Sequence, residues 1–389
     1  MMEIPFPGAA DISNCSMQKA PEGEELIHLI SLTQVPHLGD VHISALLKHF
    51  GSAGAVFKAA RRELECHPGI GTVRAGAIKS FRGYTRSEQE VSYCMKNGIQ
   101  LLVRGFQGYP VRLANCPDAP QVLFFKGSGI LDFPKVISIV GTRSPTHYGK
   151  SSVLELIASI ATLQVLVVSG LAYGIDTLVH REAVKHGLAT VGVLGHGLDK
   201  LYPYANRQLA EEMLGWGGLL SEFMSGTKPD RQNFPRRNRI VSGMADAVVV
   251  VESGIKGGSL ITAELANDYN RDVLAYPGRA TDEQSMGCNA LIRTHKANLV
   301  TCGEELIDFL NWSDRNTKDT VVQMALFDGL GDAQKSLVEI IARLQPVSID
   351  QIAREADLKP NTAASMLLDL EMQGVVAVLP GKIYALCRS

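Results

Sequence analysis

The chain has 389 residues, 46% of them hydrophobic and 20% charged, with a formal net charge of -2 at pH 7. That length predicts two or three domains, the composition excludes a wholly disordered chain, and the near-neutral charge excludes a protein that coats nucleic acid over its entire surface. A membrane span, a secretory signal, a disulfide framework and a metal site are not expected: the sequence lacks a long apolar run, a basic-then-apolar start, any CxxC pair among its seven cysteines and any HExxH among its ten histidines. A reduced, cytoplasmic protein without metal or cofactor is therefore expected.

In chain order, residues 1–20 are small and polar and predict a disordered tail. Residues 21–85 predict a small helical domain. Two segments within it resemble each other, Val35-Pro36-His37-Leu38-Gly39 before Leu46 to Gly51, and His67-Pro68-Gly69-Ile70-Gly71 before Val73 to Ile78. A glycine turn between short helices fits a helix-hairpin-helix (or SAM-like) unit that receives backbone phosphates, and equally a small bundle with ordinary glycine caps. Residues 86–312 predict a doubly wound α/β domain. Its strands are Val136–Val140, Val165–Ser169, Ala189–Leu194, Gly218–Ser221, Ala247–Val251 and Val273–Tyr276, with Leu299-Val300 as a last one. Each is short, apolar and mostly rich in Val, as strands buried on both faces of a parallel sheet must be, and helical stretches separate them. Residues 313–332 read as a polar linker. Residues 333–389 give three helices and a hairpin around Pro380-Gly381, the order of a winged helix. Its third helix, Asn361 to Gln373, carries Asp369 and Glu371 and no Arg or Lys, which favours packing or protein contact over base readout.

Ligands of doubly wound sheets sit beyond the carboxyl ends of the strands, and every glycine-rich segment of this chain falls at that edge. Gly141-Thr142-Arg143 follows the first sheet strand, where Gly141 admits a close backbone approach and Arg143 reaches a phosphate. Ser169-Gly170 opens the loop to Asp176. Asp176 and His180 lie four apart on one helical face, fitting either a base with its orienter or a pair that fixes the local fold. From Lys228 to Arg239 five basic residues (Lys228, Arg231, Arg236, Arg237, Arg239) stand against the single acid Asp230, in what reads as a loop containing Phe234. Gly257-Gly258-Ser259 then opens a helix near Leu260, a nest of amides at a positive helix end with the Ser259 and Thr262 hydroxyls beside it. Neither a complete GxGxxG nor a GxxxxGK occurs, which argues against nicotinamide and P-loop chemistry.

These segments resemble the DNA-processing protein A family, also called DprA or Smf. The likeness rests on Gly141-Thr142-Arg143 with Tyr148-Gly149, on Ser169 to Asp176 with His180, and on Phe234-Pro235-Arg236-Arg237-Asn238-Arg239 through Gly243. It continues with Gly257 to Ala263 and with Pro277-Gly278 and Gly287-Cys288-Asn289. The resemblance implies an extended Rossmann-like core that binds single-stranded DNA without catalysis, forms a homodimer and delivers the strand to the RecA recombinase in natural transformation. It maps a DNA pocket onto Gly141, Arg143, Ser169, Gly170, Phe234, Arg236, Arg237, Arg239, Gly258, Ser259 and Thr262. In that pocket Phe234 is a candidate to stack on a base. The competing reading is a Rossmann-like enzyme or sensor of a free nucleotide, with Asp176 and His180 as its acid-base pair.

Overall fold

The computed structural model describes residues 21–313, 331–379 and 383–386; the expected tail at 1–20, most of the expected linker and the Pro380-Gly381 turn lie outside them. Six helices come first: α1 (Glu24–Thr33), α2 (Asp40–Phe50), α3 (Ala53–Lys58), α4 (Arg61–Cys66), α5 (Gly71–Ser80) and α6 (Tyr84–Lys96). They close around Leu29, Ile30, Leu46, Leu64 and Ile78, with Cys94 of α6 in the same core. The boundary expected after residue 85 therefore cuts α6, whose Ser87 hydroxyl meets that of Ser31 on α1 at 2.8 Å. Its apolar face is turned to the bundle, so the helical part runs to Lys96. Gly39 and Gly71 stand at the starts of α2 and α5, and Arg74 ties the two turns together by donating to the carbonyls of His37 and Gly69, both at 2.9 Å.

The central part continues with β1 (Gln100–Val103), α7 (Val111–Ala114), β2 (Val122–Gly127), β3 (Lys135–Val140), α8 (His147–Ile160), β4 (Val165–Ser169), α9 (Ile175–Lys185) and β5 (Ala189–Leu194). It is completed by α10 (Arg207–Met213), β6 (Gly217–Ser221), α11 (Asn233–Met244), β7 (Ala247–Val250), α12 (Gly258–Asp268), β8 (Asp272–Ala275), α13 (Met286–Arg293), β9 (Asn298–Leu299) and α14 (Gly303–Phe309). One nine-stranded sheet forms in the order β1-β2-β6-β5-β4-β3-β7-β8-β9. All seven expected strands are present, within a residue or so of their expected ends, and run parallel. β1 and β2 were not foreseen; they add antiparallel to the β6 edge and join the sheet to the helical part, with Val103, Val122 and Phe124 in its core.

Alternation along the strands explains the layers. Val136, Val140, Leu166 and Val168 face a core shared with α11, α12 and α13, whereas Ile137, Ile139, Val165 and Val167 face one shared with α8, α9 and α14. Strands covered on both sides are apolar at nearly every position, and buried exceptions such as Ser138, Ser169 and Thr190 donate their hydroxyls to backbone carbonyls. Sequential strands run outward from β3 to one side as far as β6, then return to its other side with β7. The order thus reverses between β3 and β7, and a crevice opens at their carboxyl ends.

At the C-terminus α15 (Asp332–Leu344), β10 (Val347–Ser348), α16 (Ile349–Glu355), α17 (Pro360–Met372), β11 (Val376–Leu379) and β12 (Ile383–Leu386) make a winged helix with sheet order β10-β12-β11. Leu337, Ile341, Ile352, Leu367 and Leu370 form its core, and Asp369 and Glu371 are exposed on α17.

Candidate nucleic-acid interface

The crevice between β3 and β7 holds a cleft of about 790 Å³. Its walls come from four segments: the turn after β3 (Gly141, Thr142, Arg143), the turn after β4 (Gly170, Ala172), the first half of α11 (Phe234, Arg237, Asn238, Val241) and the turn from β7 into α12 (Ser253 to Thr262). Backbone bonds weld these together. Thr142 N–H donates to the Glu252 carbonyl at 2.7 Å, and Ile175 N–H to the Thr142 carbonyl at 3.1 Å. The second contact requires Gly174, which has φ 83° and on which a Cβ would fall 2.3 Å from the Thr142 carbonyl oxygen.

The floor holds two buried groups of opposite charge, Arg237 and Asp176. Arg237, 5% exposed, donates from Nη1 to the carbonyls of Gly170, at 2.5 Å, and Val193. Its guanidinium lies so close to Gly170 that a Cβ there would sit 2.4 Å from Nη1. Asp176 accepts from the Gly170 and Ala172 amides at 3.2 and 3.3 Å. Burial pushes the Asp176 pKa up, opposed by the Arg237 charge, and pushes the Arg237 pKa down, opposed by the Asp176 carboxylate. A buried arginine without that carboxylate would be an uncompensated charge.

His180 takes no part in this pair. Its Nδ1 lies 2.7 Å from the Thr190 hydroxyl, which itself donates to the Val167 carbonyl at 3.0 Å, so Nδ1–H is the donor to Thr190. Burial and the Arg237 charge hold the imidazole neutral, with its pKa pushed down to about 3. Asp176 and His180 therefore each fix the local fold and do not form a base with its orienter.

Above the floor the cleft is cationic. Arg143, Arg231 and Lys256 line it and are exposed. The Arg143 guanidinium carbon lies 5.7 Å from the centroid of the Phe234 ring, and that of Arg237 6.0 Å from it. α12 begins at Gly258, two residues earlier than expected; Leu260 N–H donates to the Gly257 carbonyl at 3.1 Å, while the amides of Gly258 and Ser259, on the cleft wall, have no side-chain cap. A Cβ on Gly258 would meet nothing within 4 Å, so the space beside these amides is open. Ser259 donates its hydroxyl to Ser253 Oγ at 2.8 Å, which fixes the turn, and Thr262 lies one helical turn further along the wall.

Of the expected pocket residues, Gly141, Arg143, Gly170, Phe234, Arg237, Gly258, Ser259 and Thr262 come together in this cleft. Ser169 lies beneath it, fully buried, donating to the Ile139 carbonyl at 2.6 Å. Arg236 and Arg239 face elsewhere. The segment expected as a basic loop is helical from Asn233, so successive arginines are turned by about 100° from one another. Arg236 stacks over Phe223, its guanidinium carbon 5.2 Å from the ring centroid, and donates to Glu222 Oε2 at 3.2 Å. Arg239 is buried between Asp40 of α2, at 3.1 Å, and Glu222. Burial alone would lower its pKa; the Glu222 and Asp40 carboxylates outweigh burial and raise it. Lys256, Asn238, Tyr202 and Gln284 line the cleft without having been singled out from the sequence. Only Lys256 had a legible signal, a cation directly before Gly257-Gly258.

The family model described as DNA recombination-mediator protein A matches residues 100–311, and that of the DprA winged helix domain matches residues 328–382. Protein Smf of Synechocystis is 31% identical over 92% of this chain and 98% of its own length. The DNA processing protein DprA of Streptococcus pneumoniae is 42% identical over 51% of this chain and 70% of its own length. The solved structure of the S. pneumoniae protein superposes with a TM-score of 0.61 at 32% identity, covering 72% of this chain and 96% of that one. A structure described as showing the single-stranded DNA binding mode of DNA processing protein A from Helicobacter pylori superposes with a TM-score of 0.50 at 28% identity, covering 55% of this chain and 96% of that one. A model match over more than half of the sequence, together with relatives matched over most of their length, shows that the chain belongs to the DNA recombination-mediator protein A family.

Proposed function

We propose that the cleft between β3 and β7 binds single-stranded DNA by its phosphates and that the protein passes the strand to the RecA recombinase during natural transformation or recombination. One observation carries the binding reading: Arg143, Arg231 and Lys256, the amide end of α12 and the Phe234 ring all converge on one open cleft at the reversal of strand order. Cations and helix-end amides take phosphates in any sequence, and a ring between them takes a base by its face. A cleft at the edge of a sheet admits one flexible strand more readily than a rigid duplex. The Helicobacter pylori relative, described as binding single-stranded DNA, supports the same ligand. Among the described residues no helix is long and apolar enough to cross a membrane, and we place the protein in the cytoplasm, where RecA and incoming strands meet. A homodimer would tether two clefts to one strand and strengthen binding by avidity.

The test is fluorescence anisotropy of a labelled oligothymidine titrated with the protein, with duplex competitor, repeated on Arg143→Ala/Lys256→Ala. Tight binding to the single strand that the folded variant loses supports the cleft; equal preference for duplex overturns it. Thermal stabilisation by a mononucleotide but by no oligonucleotide would instead establish a nucleotide sensor. For the partner, the rate of RecA filament nucleation on strands already coated by single-strand binding protein should rise when this protein is added. No rise would remove RecA from the reading.

A further inference from the structure

We propose that the nucleic-acid surface runs from the cleft wall at Tyr202 onto the neighbouring Tyr173, an aromatic track on which these two rings stack nucleobases while Arg143 receives a phosphate beside them; this rests on the single-strand reading above. A narrow notch adjoins the cleft on the side away from β7. Phe234, Tyr202, Pro203 and Tyr173 line it, with Arg143, Phe234 and Tyr202 shared between notch and cleft. Tyr173 follows β4 and Tyr202 follows β5, and the sheet order β5-β4-β3-β7 sets these turns in succession beyond β3. Phe234 of α11 lies at the β5 end of this row, beside Gly195 and Tyr202.

Exposure is the second observation. Tyr173 is 47% exposed and Tyr202 46%, although the strands beneath them end in fully buried side chains. The ring centroids of Tyr202 and Phe234 lie 6.4 Å apart with planes tilted by 42°, so the two rings form the splayed sides of one notch. A flat base stacked on the exposed side of either tyrosine meets a π face rather than an aliphatic edge. The cation over Phe234 adds the alternation that a nucleic-acid strand itself has, of base and phosphate at each nucleotide. A protein partner would use the rings without needing that cation.

The experiment compares a labelled oligothymidine with a strand of the same length made wholly of abasic sites, which keeps the phosphates and removes the bases. Tyr173→Ala/Tyr202→Ala should bind oligothymidine about ten-fold or more weakly and the abasic strand as the parent does, and Tyr173→Phe/Tyr202→Phe should restore the parent affinity, since stacking needs the ring and not the hydroxyl. On the intact protein, a strand substituted with 5-iodouracil should give photoadducts on Tyr173 or Tyr202; adducts confined to Phe234 overturn the track. Equal loss on both strands, or no loss on either, also overturns it. So does a changed oligomeric state in sedimentation with DNA binding intact, which would assign the rings to a protein contact. If the intact protein fails to bind oligothymidine at all, the single-strand reading falls first and the track with it.

Discussion

At the scale of single residues the cleft depends on contacts too close to tolerate an extra atom. Gly170→Ala places a methyl against a guanidinium that two carbonyls already hold, so Arg237 cannot retreat without abandoning them. We expect a loss of about 1–3 kcal/mol in denaturant unfolding, accompanied by weaker strand binding because Arg237 is part of the cleft floor. His180 gives a pH signature. The folded chain keeps it neutral, with its pKa down at about 3 from an ordinary value of 6.5, while the unfolded chain protonates it below that ordinary value. Its contribution is fully present above pH about 6.5 and is lost as the pH falls toward 3, by up to about 1.4 kcal/mol per unit. Unfolding midpoints of His180→Gln should therefore fall less than those of the parent between pH about 7 and about 4.5; parallel curves would show that His180 titrates alike in both states.

At the scale of elements, α11 is the piece whose reading changed most. Its basic residues were visible in the sequence, but the run contains Asp230 and Pro235, features that argue for a loop, and no apolar stripe marks a helix. The stripe is absent because buried arginines take core positions: Arg237 and Arg239 are 5% and 8% exposed. Charge placed inside is illegible to any pattern that sorts residues by hydropathy. The parallel strands posed no such difficulty, since burial on both faces leaves a nearly unbroken apolar run. β1 and β2 were missed because only the four-residue α7 lies between Gln100–Val103 and Val122–Gly127, too short to set the αβ rhythm that revealed the others. The pairing at Glu222 makes a prediction about α11. Glu222→Ala removes the acid shared by Arg236 and Arg239, leaving a buried guanidinium with Asp40 alone, and should cost about 3–5 kcal/mol. Arg236→Ala should cost less than about 1 kcal/mol, since that side chain is 58% exposed. Similar losses from both would mean that Arg239 is held by something other than this acid.

At the scale of the whole molecule, the cleft, the helical part and the winged helix divide the work unequally. The cationic residues that line the cleft all belong to the central sheet domain, so strand binding should survive removal of the winged helix and should be the most salt-dependent property of the protein. A plot of log affinity against log salt concentration should lose about 0.7 units of slope for each of Arg143→Ala and Lys256→Ala, and none for a deletion of residues 331–389. A slope altered by the deletion would place phosphate contacts on the winged helix, against the exposed Asp369 and Glu371 of α17. The run Arg236-Arg237-Asn238-Arg239 has a further bearing on how this protein would behave in genetics. Arg236 caps an aromatic ring, Arg237 underlies the cleft, Asn238 lines its wall, and Arg239 bolts the sheet domain to α2. In a genetic screen built on the proposed strand-binding function, alleles at all four codons would score alike and map as a single binding motif. Complementation by overexpression would separate them: an allele that only lowers the amount of folded protein is rescued by a higher dose, and an allele that empties the cleft of its contacts is not.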